Sequence, residues 1–228
     1  MNTLKNKLDN YIAKHIYPQT IFARTIVAQI DKKKLCTIID VPCGNGETSW
    51  HLSALKNAKV NAYDIDEDSI HNAQKNFVSP NLAYATQDIL TALTLHTSIN
   101  YICIINSLFL LPYPETIVKN AYNTLAKGGK LFILIPNTEG KNYLYFKQSG
   151  QDYINTLVLN YNEINNWFNT LALPISSVIP IAYAHHYNRT DTKFMSALSH
   201  FYLEAVNYIQ TKFKIGKPNY FLITLDKK

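Results

Sequence analysis

Ile38-Ile39-Asp40-Val41-Pro42-Cys43-Gly44-Asn45-Gly46-Glu47-Thr48 runs from an apolar strand-like segment, through a Gly-x-Gly turn, into the start of a helix. Its glycines let the backbone approach a ligand and take up positive φ, which side chains would oppose. A strand, a glycine turn and a helix N-terminus in this order frame a nucleotide-type cofactor site. In a dinucleotide loop the second glycine brings a pyrophosphate onto the helix N-terminus. Here Glu47 occupies that N-terminus, where its carboxylate competes with any phosphate. A cofactor free of phosphate and carrying positive charge suits this loop better.

Outward from the loop, strand and helix patterns alternate. Leu35–Val41 reads as a strand and Glu47–Lys56 as a helix, followed by a strand at Lys59–Tyr63 and a helix at Asp68–Phe77 with Asp66 or Asp68 as its N-cap. Leu82–Thr86 is a short strand, and Ile99–Ile105 is an apolar run typical of a central parallel strand. Pro114–Ala126 is a helix that starts near proline and stops before Gly128-Gly129, and Lys130–Ile135 is the fifth strand. Strands joined by helices imply a doubly wound parallel sheet. Before it, residues 3–30 have helical spacing broken at Pro18. After it, residues 137–159 lack a period and read as an insert, with a helix at Asn162–Leu171, a strand at Ser176–Tyr183, a long amphipathic helix at Asp191–Lys212 and a last strand at Tyr220–Leu225. This gives an N-terminal helical cap over 1–34, a core over 35–136 and a substrate-side completion over 137–228, all within one domain.

The 228 residues are 47% hydrophobic and 17% charged, ordinary for a soluble globular chain long enough to bury one core. No apolar run reaches the roughly 18 residues of a membrane span, and Met1–Tyr17 lacks the apolar block of a secretory signal. The three cysteines, Cys36, Cys43 and Cys103, lack metal-ligand spacing. They fit a reducing, cytoplasmic setting, and no metal is expected. The net charge of +6 comes from dispersed lysines and indicates no particular acidic partner; no membrane partner is expected.

Ligands of open α/β sheets bind beyond the carboxyl ends of the strands, near the switch in strand order. The tips here are Asp40 with the glycine turn, Asp64, Asp88 and Asn106-Ser107. Each acidic residue alone could equally cap a turn or helix, but the tips converge on one crevice. Asp64 follows Gly44 by about 20 positions, the spacing at which a carboxylate reaches a ribose hydroxyl pair. Asp88 can accept from an adenine amino group while the Ile89 N–H donates to a ring nitrogen.

Four pieces in order, Asp40-Val-Pro-Cys-Gly-Asn-Gly, Ala-Tyr-Asp64-Ile-Asp, Gln87-Asp88 and Leu125-Ala-Lys-Gly128-Gly129-Lys-Leu-Phe-Ile, resemble the class I, Rossmann-like S-adenosylmethionine-dependent methyltransferases. The resemblance covers roughly residues 35–136. It implies a seven-stranded, mostly parallel sheet in which the last strand runs antiparallel between the fifth and the sixth, with N-terminal helices and helical or loop insertions. It also implies S-adenosyl-L-methionine as cofactor and S-adenosyl-L-homocysteine as product. The expected cofactor contacts are Asp40, Pro42, Cys43, Gly44, Asn45 and Gly46 around the methionine moiety, Asp64 and Ile65 at the ribose, Gln87, Asp88 and Ile89 at the adenine, and Asn106 and Ser107 at the fourth strand tip. Val41 and Pro42 stand where the family often has small residues. Asn106-Ser107-Leu108-Phe109 is not the Asn-Pro-Pro-Tyr type of tetrad associated with nucleobase or glutamine amide methylation.

Methyl transfer from a sulfonium mainly needs acceptor and methyl carbon held in line. Where the acceptor must lose a proton, His185 and His186, after the sixth strand, are the candidate bases, and adjacent residues on a strand put at most one of them toward the site. The expected activity is a methyltransferase acting at O or N of a small-molecule acceptor, since no nucleic-acid module and no clustering of basic with aromatic residues is present. An RNA or protein acceptor is the alternative within the class, and a silent cofactor-binding protein is the alternative outside it. A nicotinamide dehydrogenase is disfavoured by Glu47 and by Ser49 at the third glycine position. Oligomeric state is not legible.

Overall fold

The computed structural model describes residues 18–140, 143, 157, 159–181, 205, 208–210, 212, 213 and 215–228. Apolar runs and their breaks set the elements of the first half: α1 (Pro18–Val27), β1 (Cys36–Asp40), α2 (Glu47–Leu52), β2 (Ala58–Asp64), α3 (Glu67–Asn76), β3 (Leu82–Thr86), α4 (Ile89–Thr94) and β4 (Ile99–Ile105). The second half adds α5 (Pro114–Thr124), β5 (Leu125–Pro136), α6 (Tyr161–Thr170), β6 (Ser177–Ile181) and β7 (Tyr220–Asp226). Local caps mark several starts. Asp66 accepts from the Ser69 N–H to open α3, and Asn160 and Glu163 form a reciprocal capping box at α6.

The strands form one seven-stranded sheet in the order β3-β2-β1-β4-β5-β7-β6. β1 to β5 pair in parallel, whereas β7 is antiparallel to both β5 and β6. The expected sheet, with its last strand inserted between the fifth and sixth, is therefore present. The strand order reverses between β1 and β4, so the loops leaving these two strands part and open a crevice.

The two-residue period of the central strands builds a core on each face. Ile102, Ile104, Leu131, Ile133 and Ile223 face a layer containing Leu93, Ile117, Val118, Ile164 and Phe168 from α4, α5 and α6. Tyr101, Cys103, Phe132, Leu134 and Leu222 face Phe22, Ala23 and Ile26 of α1 and Leu52 of α2. Burial of α1 on this second face brings Phe22 to the carboxyl end of the sheet.

Two boundaries depart from the sequence reading. Gly128-Gly129 lies inside β5, not between a helix and a strand. β5 starts at Leu125 opposite Ile99, and the register slips before Tyr101 meets Lys130. Gly128 takes φ 79° there and donates its N–H to the Lys227 carbonyl. Gly129 has backbone carbonyl oxygens of Ile99, Asn100 and Ala126 where a Cβ would sit, each 2.9 Å away, so a side chain has no room. The second departure is α4, a two-turn helix not expected from the pattern. Most of the 137–159 insert, most of the 191–212 helix and the helix before Pro18 lie outside the described residues.

Candidate cofactor site

β1 delivers Asp40 to the switch point, and the chain then folds back through Pro42 to Gly46. The Cys43 N–H donates to the Tyr63 carbonyl at 2.8 Å and the Gly46 N–H to the Cys43 carbonyl at 3.1 Å, which closes the turn against β2. Asp64, at the end of β2 and only 8% exposed, ties the two tips together. Its Oδ2 accepts the Gly44 N–H at 2.7 Å and its Oδ1 the Asp66 N–H at 3.0 Å. A carboxylate has about four lone-pair sites, so these bonds leave it capacity for a hydroxyl pair.

The two loop glycines serve different ends. Gly44 has φ 52°, and a Cβ there would meet nothing within 4 Å, so its backbone borders open space. Gly46 has φ 81°, and a Cβ would come within 2.7 Å of Ala73 and of the Tyr84 ring and hydroxyl. Gly46 thus lets α2 and the loop seat against β3 and α3, and its carbonyl also accepts from the Tyr84 hydroxyl at 3.1 Å.

A cavity of about 530 Å³ opens between these tips, within the range of small-molecule sites. Its donor-side wall includes Asp40, Pro42, Cys43, Gly44, Asn45 and Asp64, with Ile65 73% exposed at the rim. Glu47 and Thr48 contribute from the start of α2. The opposite wall is apolar, formed by Phe22, Ile105, Leu110 and Leu111 beside Asn106 and Ser107. Three carboxylates, and no basic side chain among the described residues, line this space. In a chain of net charge +6 that is a local inversion of sign, and it favours a cationic ligand over a phosphate.

Asp40 is a strongly perturbed acid of this wall. It is 1% exposed, and its Oδ2 accepts the Ser49 hydroxyl at 2.6 Å. Burial raises its pKa to about 7, with the Ser49 hydrogen bond opposing the rise and the Asp64 charge adding to it. Among the described residues its Oδ1 has no hydrogen-bond partner, and neither does the buried Ser107 Oγ. A buried carboxylate oxygen without a donor is costly, and an ammonium would satisfy it. The residues present therefore fit a cofactor that carries an amine and a sulfonium. Burial also raises the thiol of Cys43 and the phenol of Tyr84, which keeps both neutral beside the acids.

Other candidates fall as follows. Gln87, Asp88 and Ile89 adjoin Asp64, whose carbonyl accepts the Gln87 N–H at 2.8 Å, but the cavity wall does not extend to them. Asp88 is the N-cap of α4 and accepts from the Thr91 N–H at 3.1 Å. Its pKa is lowered by the side-chain and backbone hydrogen bonds of Thr91. Asn106 takes φ 53° and hands its N–H to the Leu134 carbonyl, so the chain turns away from the sheet and presents its exposed side chain at the cavity. His185 and His186 lie outside the described residues. The sequence reading did not single out Ser49 as the partner of Asp40, or Phe22, Leu110 and Leu111 as wall. Phe22 carried a signal in the helical spacing of the residues before β1, but the Asp40–Ser49 contact carried none.

Residues 38–129, somewhat under half of the chain, match the methyltransferase domain family. The ubiquinone biosynthesis O-methyltransferase of Pseudomonas savastanoi pv. phaseolicola is 24% identical over 170 residues, spanning 68% of this chain and 72% of that protein. A chain from the Haloferax volcanii complex between the Trm112 methyltransferase activator and a methyltransferase aligns with a TM-score of 0.67 at 14% identity, over 98% of this chain and 95% of that chain. Magnesium protoporphyrin IX methyltransferase of Synechocystis PCC 6803, solved with S-adenosylhomocysteine bound, aligns at 0.56 and 14% identity over 91% and 80%. Residues 38–129 thus match a methyltransferase domain, and the sheet order and the whole-chain alignments give this chain the fold of the class I, Rossmann-like S-adenosylmethionine-dependent methyltransferases.

Proposed function

We propose that this enzyme methylates a small-molecule acceptor at oxygen or nitrogen by in-line displacement, with the donor held by the acidic wall and the acceptor by the apolar one. The observation that carries this reading is a single cavity with two chemically distinct sides, carboxylates and backbone on one and Phe22, Leu110 and Leu111 on the other. A volume of about 530 Å³ suits a compact partner. The ubiquinone biosynthesis O-methyltransferase and the magnesium protoporphyrin IX methyltransferase, to which the chain is similar, are named for small-molecule chemistry.

When bound, the cofactor supplies a methyl carbon already activated by a sulfonium. The tasks left to the chain are positioning and charge. Asp40 would accept from the methionine ammonium, and Gly44 and Asn45 would let the backbone border the methionine chain. Asp64 would accept from the ribose hydroxyls while holding the loop through Gly44, with Ile65 beside it. Asp88, at the start of α4, would accept from the adenine amino group. Asn106 and Ser107 stand where the donor and acceptor walls meet, and Ser107 Oγ offers an unspent hydrogen bond to the acceptor. Holding the two reactants in near-attack geometry accounts for roughly 7–11 kcal/mol of a displacement barrier. A base adds about 10²–10⁴-fold where the acceptor must lose a proton, and His185 or His186 is our candidate for it.

The test is to incubate the protein with methyl-deuterated S-adenosylmethionine and three acceptor pools: phenols and amines of low mass, total RNA, and unfolded protein. Label found by mass spectrometry in the low-mass pool, and reduced at least tenfold by Leu111→Asp, supports the reading. Label confined to RNA or to protein replaces it with the corresponding macromolecular activity.

A further inference from the structure

We propose that the Asp40–Ser49 pair makes uptake of the donor a proton-releasing event, with Ser49 as the residue that positions the accepting oxygen. The proposal rests on the cofactor assignment above and concerns how that site is governed.

Ser49 is fully buried on α2, at the position where a dinucleotide loop would have its third glycine, and its hydroxyl donates to Asp40 Oδ2 at 2.6 Å. One carboxylate oxygen is thus committed to the protein, while the other, Oδ1, is buried without a partner among the described residues in a side chain that lines the cavity. With the Ser49 hydrogen engaged at Oδ2, the acid proton of a neutral Asp40 sits on Oδ1, where the donor's ammonium must donate. A protonated Oδ1 turns its own hydrogen toward the ammonium and is a weak, uncharged acceptor, so binding favours the carboxylate: the carboxyl O–H gives its proton to solvent and the ammonium N–H takes its place.

The surroundings keep this exchange to one group. Asp40 faces Cys43 in the loop, Cys103 on β4, Asp64 on β2 and Tyr84 on β3, and Glu47 at the start of α2 shares the cavity. Burial raises both thiols and the phenol away from neutrality, and the charge of Asp64 opposes ionisation of Asp40. No basic side chain among the described cavity residues offsets these effects. Near neutral pH, Asp40 is the group of this cluster whose burial and negative neighbours hold the proton in place until a cationic ligand arrives.

The experiment is calorimetric titration of the whole chain with S-adenosylhomocysteine from about pH 5.5 to about pH 8, in buffers of different ionisation heat. 5′-Methylthioadenosine serves as the comparator that keeps the nucleoside and thioether but lacks the amine. One-proton linkage predicts that S-adenosylhomocysteine affinity rises about tenfold per pH unit up to neutrality and then levels, with close to one proton released per ligand at the acid end. Methylthioadenosine should show neither effect. Ser49→Ala removes the bond that favours the carboxylate, so it should move the profile toward higher pH, and Ser49→Thr should restore it. Asp40→Asn should abolish proton release while methylthioadenosine still binds. Equal affinity across the pH range without proton release, equal release with methylthioadenosine, or a Ser49→Ala profile that falls without shifting overturns the proposal. Binding of neither ligand at any pH overturns the cofactor assignment along with it.

Discussion

Replacing Asp40 by Asn should make the ligand-free protein more resistant to alkaline pH while disabling its donor site. The folded carboxyl holds its proton to about pH 7 because it is buried beside Asp64, whereas the unfolded chain releases it near the ordinary value of 3.8. Between those values the folded state binds more protons than the unfolded one, so stability falls as pH rises through the window. At about 1.4 kcal/mol per unit, ionising Asp40 costs the fold about 4 kcal/mol in full. By about pH 5 the unfolded chain has already ionised and part of the loss has occurred, so between about pH 5 and pH 8 some 2–3 kcal/mol of it remains to be expressed. Asn cannot ionise. It keeps an oxygen for the Ser49 hydroxyl but buries an amide without an acceptor, a cost of about 1–3 kcal/mol that does not depend on pH.

The readout is therefore the change in the difference between the two proteins, not their difference at one pH. Thermal unfolding of both across that range should show Asp40→Asn gaining about 2–3 kcal/mol on the wild type toward pH 8, or about 5–10 °C in Tm for a chain of this size. Every other ionisable group is common to both proteins and cancels in that comparison. A constant offset between the two curves would refute the reasoning, because it would mean that Asp40 is ionised throughout in the folded protein.

Further outcomes follow from the same geometry. Asp64→Ala should weaken S-adenosylhomocysteine binding at least tenfold by titration calorimetry, since it removes the ribose acceptor and releases the Gly44 and Asp66 N–H groups together. Asp64→Asn should bind better than Asp64→Ala because its one oxygen can still accept from Gly44. Gly46→Ala should destabilise the fold by about 2 kcal/mol or more, from positive φ and from overpacking against Ala73 and Tyr84, with unchanged thermal denaturation as the contrary result. Asp88→Ala should lose about 1 kcal/mol as an N-cap, while Asp88→Asn keeps the cap. The hydrogen bonds of Thr91 lower the Asp88 pKa, so this stability should be present above the ordinary carboxylate value and fade as pH falls below it.

The sheet was legible because buried parallel strands are written as apolar runs. Ile99–Ile105 has no polar alternation to hide it, and the next two strands across the sheet, β1 and β2, end at Asp40 and Asp64 on the same side. The glycine loop was legible for a local reason, as its turn and helix start are adjacent in sequence. What was not legible depended on contacts made at a distance. Gly128-Gly129 belongs to β5 because of Ile99 across β4 and Lys227 after β7, and no local pattern encodes that register. α4 has too few residues for a helical period to stand out from an apolar run. Ser49 looked like a missing glycine, and only the path of the loop brings its hydroxyl to Asp40. Gly46 was read as room for a ligand, but the structure uses that room for Tyr84.

The most direct test of the central claim, that the acidic loop between Asp40 and Glu47 selects a phosphate-free cationic cofactor, is a paired titration with S-adenosylhomocysteine and NADH near pH 8. The account predicts one S-adenosylhomocysteine bound per chain, with affinity weakened at least tenfold in Asp40→Asn and Asp64→Ala, and no detectable NADH. Binding of NADH in place of S-adenosylhomocysteine would contradict it.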